Sequence, residues 1–485
     1  MGMLTVTLEE DKGKKAEFVT EISKCRFNFE ADANDRKNGV YGFDKLTKKI
    51  LKNSRPLDKE KGKGKLEQVY TPIETIGDEL YYVPWLSIRK DQTVTLSLEI
   101  KVIEGDKLGT IITTGNEDKN FNIRFLNASN NETDDIEDAE KLELTCNKVS
   151  DDETKLRFRV DGLDAGGLNV FHPEPKQVNL KWYMVGRNEQ EIEAIDNLIS
   201  KNDLTDYCYR AFNPSLIDIN ILFEKAKVLN IGQEERDNFY NQLKKLTDKH
   251  IEDNDLKGDK KKIFQLKKKD EDFFTEIRKV KKEHIKNELL ELCKNNGIED
   301  ANLKMSKGYV IERLFEYFEY TGNERPLKVN EKMKGRLVGN VHGVRPDAAP
   351  PDGSIYLYLS YISSYTKMEG QDQNGLEINP GASFTGNEVA FMFCGTTEEI
   401  PALCTELEIE ESPKFELETD IPHEIMHSLG LEHTFSKEHF IEVRFDREET
   451  DNYMDYQNEK IHTCKWQWER MRDSQYCLPK TINNE

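Results

Sequence analysis

No apolar stretch in the chain comes near the roughly 20 residues that a membrane-crossing helix needs, so no membrane span is expected. The opening run at 1–15, MGMLTVTLEEDKGKK, lacks the apolar core of a secretory leader. That predicts a soluble chain made in the cytoplasm without a signal peptide, any export taking a leaderless route. Cysteine is scarce, 8 in 485 residues, and positions 25, 146, 208, 293, 394, 404, 464 and 477 form neither a compact disulfide scaffold nor a C-x-x-C pair. Free buried thiols are expected, the alternative being a pair among Cys394, Cys404, Cys464 and Cys477. A surplus of positive charge is missing too: 70 Lys and Arg stand against 92 Asp and Glu, a formal net charge of -22. This disfavours nonspecific nucleic-acid binding, and no nucleic-acid partner is expected. The acidity could suit a basic substrate, although a solvated surface is the plainer reading.

What is present divides by period. A chain of 485 residues has length for roughly two to four domains. Residues 1–70 read as a β-rich segment to which no role is assigned; TVTL and RFNF could be short strands and KGKGK a link. Across 71–185 the period is two. Val94, Leu96, Leu98, Ile100 and Val102 alternate with polar neighbours, and FNIRF, LELTC, LRFRV and VNLKWYMV repeat the pattern, which predicts an immunoglobulin-like β-sandwich. Such modules bind or deliver more often than they catalyse. From 186 to 325 the chain reads as mainly helical, with Ile192, Ile195, Leu198 and Ile199 at helix spacing and SLIDINILF alternating like a strand. Its lysine runs are interleaved with acids and read as solvated helix faces. In 326–480, SIYLYLSYI and GNEVAFMF are strand-like, and PGASFTG at 380–386 is a candidate edge strand.

The strands lead to IPHEIMHSLGLEH at 421–433, which contains H-E-x-x-H-x-x-G-x-x-H. On a helix, positions i and i+4 share a face, so His423 and His427 can present imidazole nitrogens to one metal ion. Glu424 lies one step round, near that metal but outside its ligands. A straight helix carries position 433 away, but Gly430 tolerates the left-handed backbone that commonly ends helices, so the chain can turn and return His433 as a third ligand. Three histidines leave a fourth position for water, which points to a catalytic Zn2+. Zinc brings the pKa of water down from about 15.7 toward about 7, and Glu424 would serve as general base and then general acid in peptide hydrolysis. Histidine is only 9 of 485 residues, so five matched positions are a specific signal. The bland alternative is an amphipathic helix whose histidines face core or solvent.

Together with Met454 in DNYMDY at 451–456, this motif resembles the metzincin clan of zinc endopeptidases, and within it the pappalysin and cytophagalysin-like peptidases. The shared runs are G-L-x-H-T-F at 430–435, N-x-M-D-Y at 452–456, and Cys464 followed by QWERM at 467–471. The likeness covers the last sixty or so residues well and the rest in outline. It implies a methionine turn at Met454 as the hydrophobic floor beneath the metal, and Tyr456 touching the metal or the reaction oxyanion. It further implies an α+β catalytic core with a substrate-binding edge strand, the segment at 186–325 being an insertion or spacer. The chain departs from the pattern in having no cysteine between Thr434 and Thr463 to pair with Cys464.

The expected protein is a multidomain zinc endopeptidase acting on a protein or peptide substrate. Two alternatives stay open. One is a binding or adaptor protein whose peptidase-like fold is inactive or latent, Cys25, Cys146 or an N-terminal carboxylate being possible caps for the metal. The other is a toxin-like effector resembling type VI secretion-associated metallopeptidases, its N-terminal β domains engaging the secretion apparatus. Elsewhere, Asp446, Glu448, Glu449 and Asp451 could hold calcium, though without regular ligand spacing. His439 and His462 have no need to act as ligands. Trp466 and Trp468 read as anchors of a C-terminal helix or as a pocket wall.

Overall fold

In a computed structural model of the chain, the described residues are 24–46, 50, 55–56, 69–70, 72–73, 81–104, 111–127, 139–186, 189–223, 227–228, 353–361, 365–369, 374–378, 381–383, 385–386, 388–394, 416–436, 443–448, 450–456 and 459–480. They are mainly β, with few helices. Among them, no helix is long and apolar enough to cross a membrane. TVTL, KGKGK, the lysine-rich stretch, His250, His284, His342, His439, Glu449, Cys293 and Cys404 lie outside the described residues.

Among the described residues, nine strands build the two N-terminal sheets: β1 Lys24–Ala31, β2 Gly42–Asp44, β3 Trp85–Ser87, β4 Thr93–Glu104, β5 Ile111–Thr114, β6 Phe121–Leu126, β7 Lys141–Cys146, β8 Ser150–Val160 and β9 Leu163–His172. One sheet has the order β1-β4-β7-β6 and the other β2-β3-β9-β8-β5. The period-two pattern explains why they pack. In β4, Val94, Leu96 and Leu98 are buried while Ser97 and Glu99 are exposed, and the inward side chains join Phe27, Phe29, Leu144, Phe158 and Val170 in one core. Each fully buried side chain of this kind contributes roughly 1.5–3 kcal/mol. Cys25 and Cys146 are buried thiols that belong to this core. His172 is buried there too, donating from Nδ1 to the Lys148 carbonyl at 2.9 Å with Thr154 Oγ1 2.8 Å from Nε2.

The second body has its own sheet. Its elements are β10 Lys176–Gly186, α1 Glu189–Leu198, α2 Lys201–Phe212, β11 Ile217–Phe223, β12 Ile355–Ser360, β13 Gly381–Ser383, β14 Val389–Phe393, α3 Leu417–Ser428 and α4 Lys465–Arg472. The strand order is β11-β10-β12-β14-β13, with β13 antiparallel to β14 and the other neighbours parallel. Parallel neighbours need a crossover, which α1 and α2 supply between β10 and β11. The helical pattern expected to run through 200 is split there, because Ser200 caps α2 in a reciprocal bond with Asp203. Val178, Leu180, Trp182 and Met184 of β10 face α1, α2 and α3 across the larger core.

The expected limits at 70 and 185 do not coincide with this pairing. RFNF lies in β1, which pairs with β4, so the N-terminal sheets begin before 70. VNLKWYMV lies in β10, which pairs with β11 and β12 rather than with the N-terminal strands. Alternation shows that a strand is half-buried but carries no information about its neighbour.

A third core joins the two bodies. Leu46, Tyr70, Trp85, Phe171, Leu216, Phe445, Trp466 and Trp468 pack there, with Phe171 and Trp468 rings 6.1 Å apart. The two tryptophans of α4 are therefore anchors, and Trp468 donates to Thr463 Oγ1 at 2.9 Å.

Candidate metal centre

The helix that carries the motif begins at Leu417 and passes through Pro422. It ends where the sequence places its breaker: Leu429 is the C-cap and Gly430 has φ +95°. A residue with a Cβ is strained in that region, and the turn lets Leu431 and His433 come back toward the helix. The Leu431 carbonyl accepts from His427 Nδ1 at 2.7 Å, and the Tyr453 carbonyl accepts from His423 Nδ1 at 2.6 Å. A carbonyl only accepts, so both imidazoles carry their proton on Nδ1 and leave Nε2 with a bare lone pair.

Those lone pairs converge. His433 Nε2 lies 3.2 Å from Nε2 of His423 and 3.2 Å from Nε2 of His427. A single proton could bridge only one such contact at a time, whereas a cation between them satisfies all three. Donors at about 2.0–2.1 Å from a tetrahedral zinc stand about 3.3–3.4 Å apart, close to the spacing found. His423 and His427 are buried and His433 is partly so. Burial pushes His423 well below the ordinary histidine value, with the neighbouring His427, Lys460 and His433 adding to the effect. Burial likewise lowers His427, and lowers His433 to about 3 with help from His427, Lys460 and Arg447. All three are thus held neutral, the form that ligates metals.

The other motif residues fall around this trio. Glu424 is buried and its Oε2 accepts from the Ser383 hydroxyl at 2.6 Å. Gly381, at the start of β13, passes so close that a Cβ there would stand 2.5 Å from Glu424 Cγ. Within PGASFTG, Gly381–Ser383 form the last strand of this sheet among the described residues, and the Gly386 N–H donates to the His427 carbonyl at 2.9 Å. Tyr456 Oη is 2.8 Å from His433 Nε2.

Met454 is fully buried in the larger core. Its N–H donates to Asn452 Oδ1 at 2.9 Å, and its carbonyl accepts from the Thr434 N–H at 3.0 Å, next to His433. Asn452 Nδ2 in turn donates to Gln467 Oε1 at 2.7 Å, fixing the turn to α4. Asp455 receives the N–H groups of Glu448 and Thr450 at 2.9 and 3.0 Å, which shapes the preceding loop.

Comparison of the chain with protein-family models, with curated proteins and with solved structures finds no match.

Several neighbours of the centre were given no role by the sequence. Phe435 stacks on His433 with centroids 4.9 Å apart and planes 7° from parallel, and Arg447 sits over the Tyr456 ring at 4.7 Å. Lys460 forms a part-buried ion pair with Asp420 at 2.5 Å. The calcium alternative does not gather: among the described residues Asp446, Glu448 and Asp451 join no metal-holding group. Asp451 pairs instead with His462 at 3.0 Å and with Arg36 at 3.3 Å. Cys394, Cys464 and Cys477 are buried thiols, none of them in a disulfide among the described residues.

Proposed function

We propose that the chain is a zinc-dependent endopeptidase of the metzincin type, hydrolysing peptide bonds in a protein or peptide substrate. The observation that carries this reading is His433 Nε2 at 3.2 Å from both His423 Nε2 and His427 Nε2, the latter two imidazoles having Nδ1 committed to carbonyls, beside a buried carboxylate on the same helix. His423, His427 and His433 would hold the ion, and zinc so held supplies Lewis acidity toward a peptide carbonyl and toward water. Glu424 would take the proton of the attacking water and pass it to the departing amine, while Ser383 keeps its carboxylate in place. The Tyr456 hydroxyl would donate to the carbonyl oxygen as that atom gains charge. Among the described residues nothing pairs with the outer edge of β13, which suits an extended substrate added as a further strand.

On this reading the second body is a metzincin-like core, and the paired N-terminal sheets are an immunoglobulin-like module ahead of it. That order would serve an exported effector whose sandwich engages a secretion apparatus. Digestion of a denatured protein mixture and a peptide library tests the activity. Cleavage is expected, stopped by a chelator and restored by zinc. Glu424→Gln should bind zinc equally and cleave roughly 10²–10⁴-fold more slowly. Zinc uptake by the intact chain with no cleavage of any substrate would favour a binding or adaptor protein instead.

A further inference from the structure

A second group of metal-type donors lies at the seam between the two bodies. Asp44, at the end of β2, and His462 and Cys464, just before α4, each place a donor atom within 4.8 Å of the other two, and all three are buried. We infer that these residues form a second, structural site for a zinc-class transition-metal ion.

The surroundings of each donor favour that role. His462 Nδ1 is 3.0 Å from Asp451 Oδ1 and 3.2 Å from the Asp451 carbonyl, so its proton sits there. Its Nε2 makes no hydrogen bond with any described residue, although His462 is only 7% exposed. A carboxylate holding the far nitrogen of an imidazole is how metal-binding histidines are commonly oriented. Cys464 Sγ accepts from Asn452 Nδ2 at 3.5 Å, a contact that suits a thiolate. Asp44 Oδ2 accepts from Tyr70 Oη at 2.5 Å and from the Lys465 N–H at 2.7 Å, yet among the described residues no lysine or arginine forms an ion pair with it. The buried Lys465 ammonium turns away from Asp44, to Glu153 at 2.7 Å and Glu469 at 2.8 Å.

Charge completes the case. A carboxylate, a thiolate and a neutral imidazole carry two negative charges, which a divalent ion cancels, so the buried cluster becomes neutral when filled. Sulfur, nitrogen and oxygen donors together suit zinc and cobalt and disfavour calcium or magnesium. The Tyr70 hydroxyl donates to Asp44 Oδ2 at 2.5 Å and so helps to hold that carboxylate in place at the cluster.

Filling the site ties β2 to the methionine turn. The Tyr453 N–H donates to the His462 carbonyl at 3.0 Å, and the Tyr453 carbonyl holds His423 at 2.6 Å. The ion would clamp the N-terminal sheets onto the turn that orients the first histidine. Nothing in this inference requires that the other centre cleave peptides.

Cobalt(II) titration of the metal-free full-length chain, followed by metal analysis and absorption, tests it. Two ions per chain are expected, one of them giving a near-ultraviolet thiolate-to-cobalt charge-transfer band. Cys464→Ser should bind one ion and lose the band. The double variant His423→Ala, His427→Ala should bind one ion and keep it. The unsubstituted chain alone decides the matter if Cys464→Ser does not fold: cobalt uptake without a charge-transfer band overturns the inference, as does a band that persists in a folded Cys464→Ser.

Discussion

Glu424 is held from two sides. The Ser383 hydroxyl bonds its Oε2 at 2.6 Å, and the missing side chain of Gly381 leaves room for its Cγ. Gly381→Ala would place a methyl group 2.5 Å from that Cγ, so the carboxylate must move. The expected outcome is a loss of at least roughly tenfold in kcat with zinc affinity unchanged, read from steady-state kinetics beside a zinc competition titration. On the proposed mechanism, Tyr456→Phe removes a donor needed only as charge develops. It should lower kcat about 10²-fold while leaving KM near its original value. At this scale the sequence was most legible where spacing alone fixes geometry, as for His423 and His427 at i and i+4. The carbonyls of Leu431 and Tyr453 were invisible, because every residue has one and only the fold decides which two face an imidazole.

At the scale of elements, the Asn452 side chain fastens the turn that carries Met454. Asn452 bonds the Met454 N–H at 2.9 Å and exchanges bonds of 2.7 and 3.1 Å with the Gln467 amide. Asn452→Ala leaves those buried groups without partners, a loss of roughly 1–3 kcal/mol in denaturant unfolding. It should also loosen the Tyr453 carbonyl under His423 and weaken zinc binding about tenfold or more, which a competing chelator would measure. Strands were legible as elements because burial on one face imposes a period of two, as in β4 and β7. Their partners were not, which is why β10 was expected beside the N-terminal strands and pairs instead with β12. The end of α3 was legible in Gly430, since φ +95° is a conformation that glycine alone adopts cheaply.

The whole molecule depends on its seam. Lys465 is 2% exposed, its ammonium 4.3 Å from the Trp85 ring and 4.9 Å from that of Phe171, with Glu153 and Glu469 as partners. Both glutamates keep access to water, so the loss on substitution comes mainly from packing and the cation–ring contacts. Lys465→Ala should destabilise the chain by about 2–3 kcal/mol and Lys465→Met, which keeps the stem, by less, as judged by denaturant midpoints. Asp218 bridges the same seam, bonded to Arg89 at 2.8 Å and to Lys480 at 2.8 Å. Burial opposes its charge, but the Lys480 and Arg89 contacts outweigh burial and lower its pKa. A carboxylate with a depressed folded-state pKa adds stability above its unfolded value of about 3.9, and that stability is lost as pH falls toward the folded-state pKa. Asp218→Asn should therefore be less stable than the parent near pH 7, the two converging in acid. No composition or periodicity pointed to this seam, since its residues lie hundreds of positions apart in the chain.

The most direct test of the centre is zinc X-ray absorption on the Cys464→Ser chain loaded with one equivalent of zinc. Three imidazole nitrogens at about 2.0–2.1 Å are expected, falling to two in the added variant His433→Ala. A spectrum with fewer than three imidazoles before that change, or one that His433→Ala leaves unaltered, would contradict the convergence of His423, His427 and His433 on one ion.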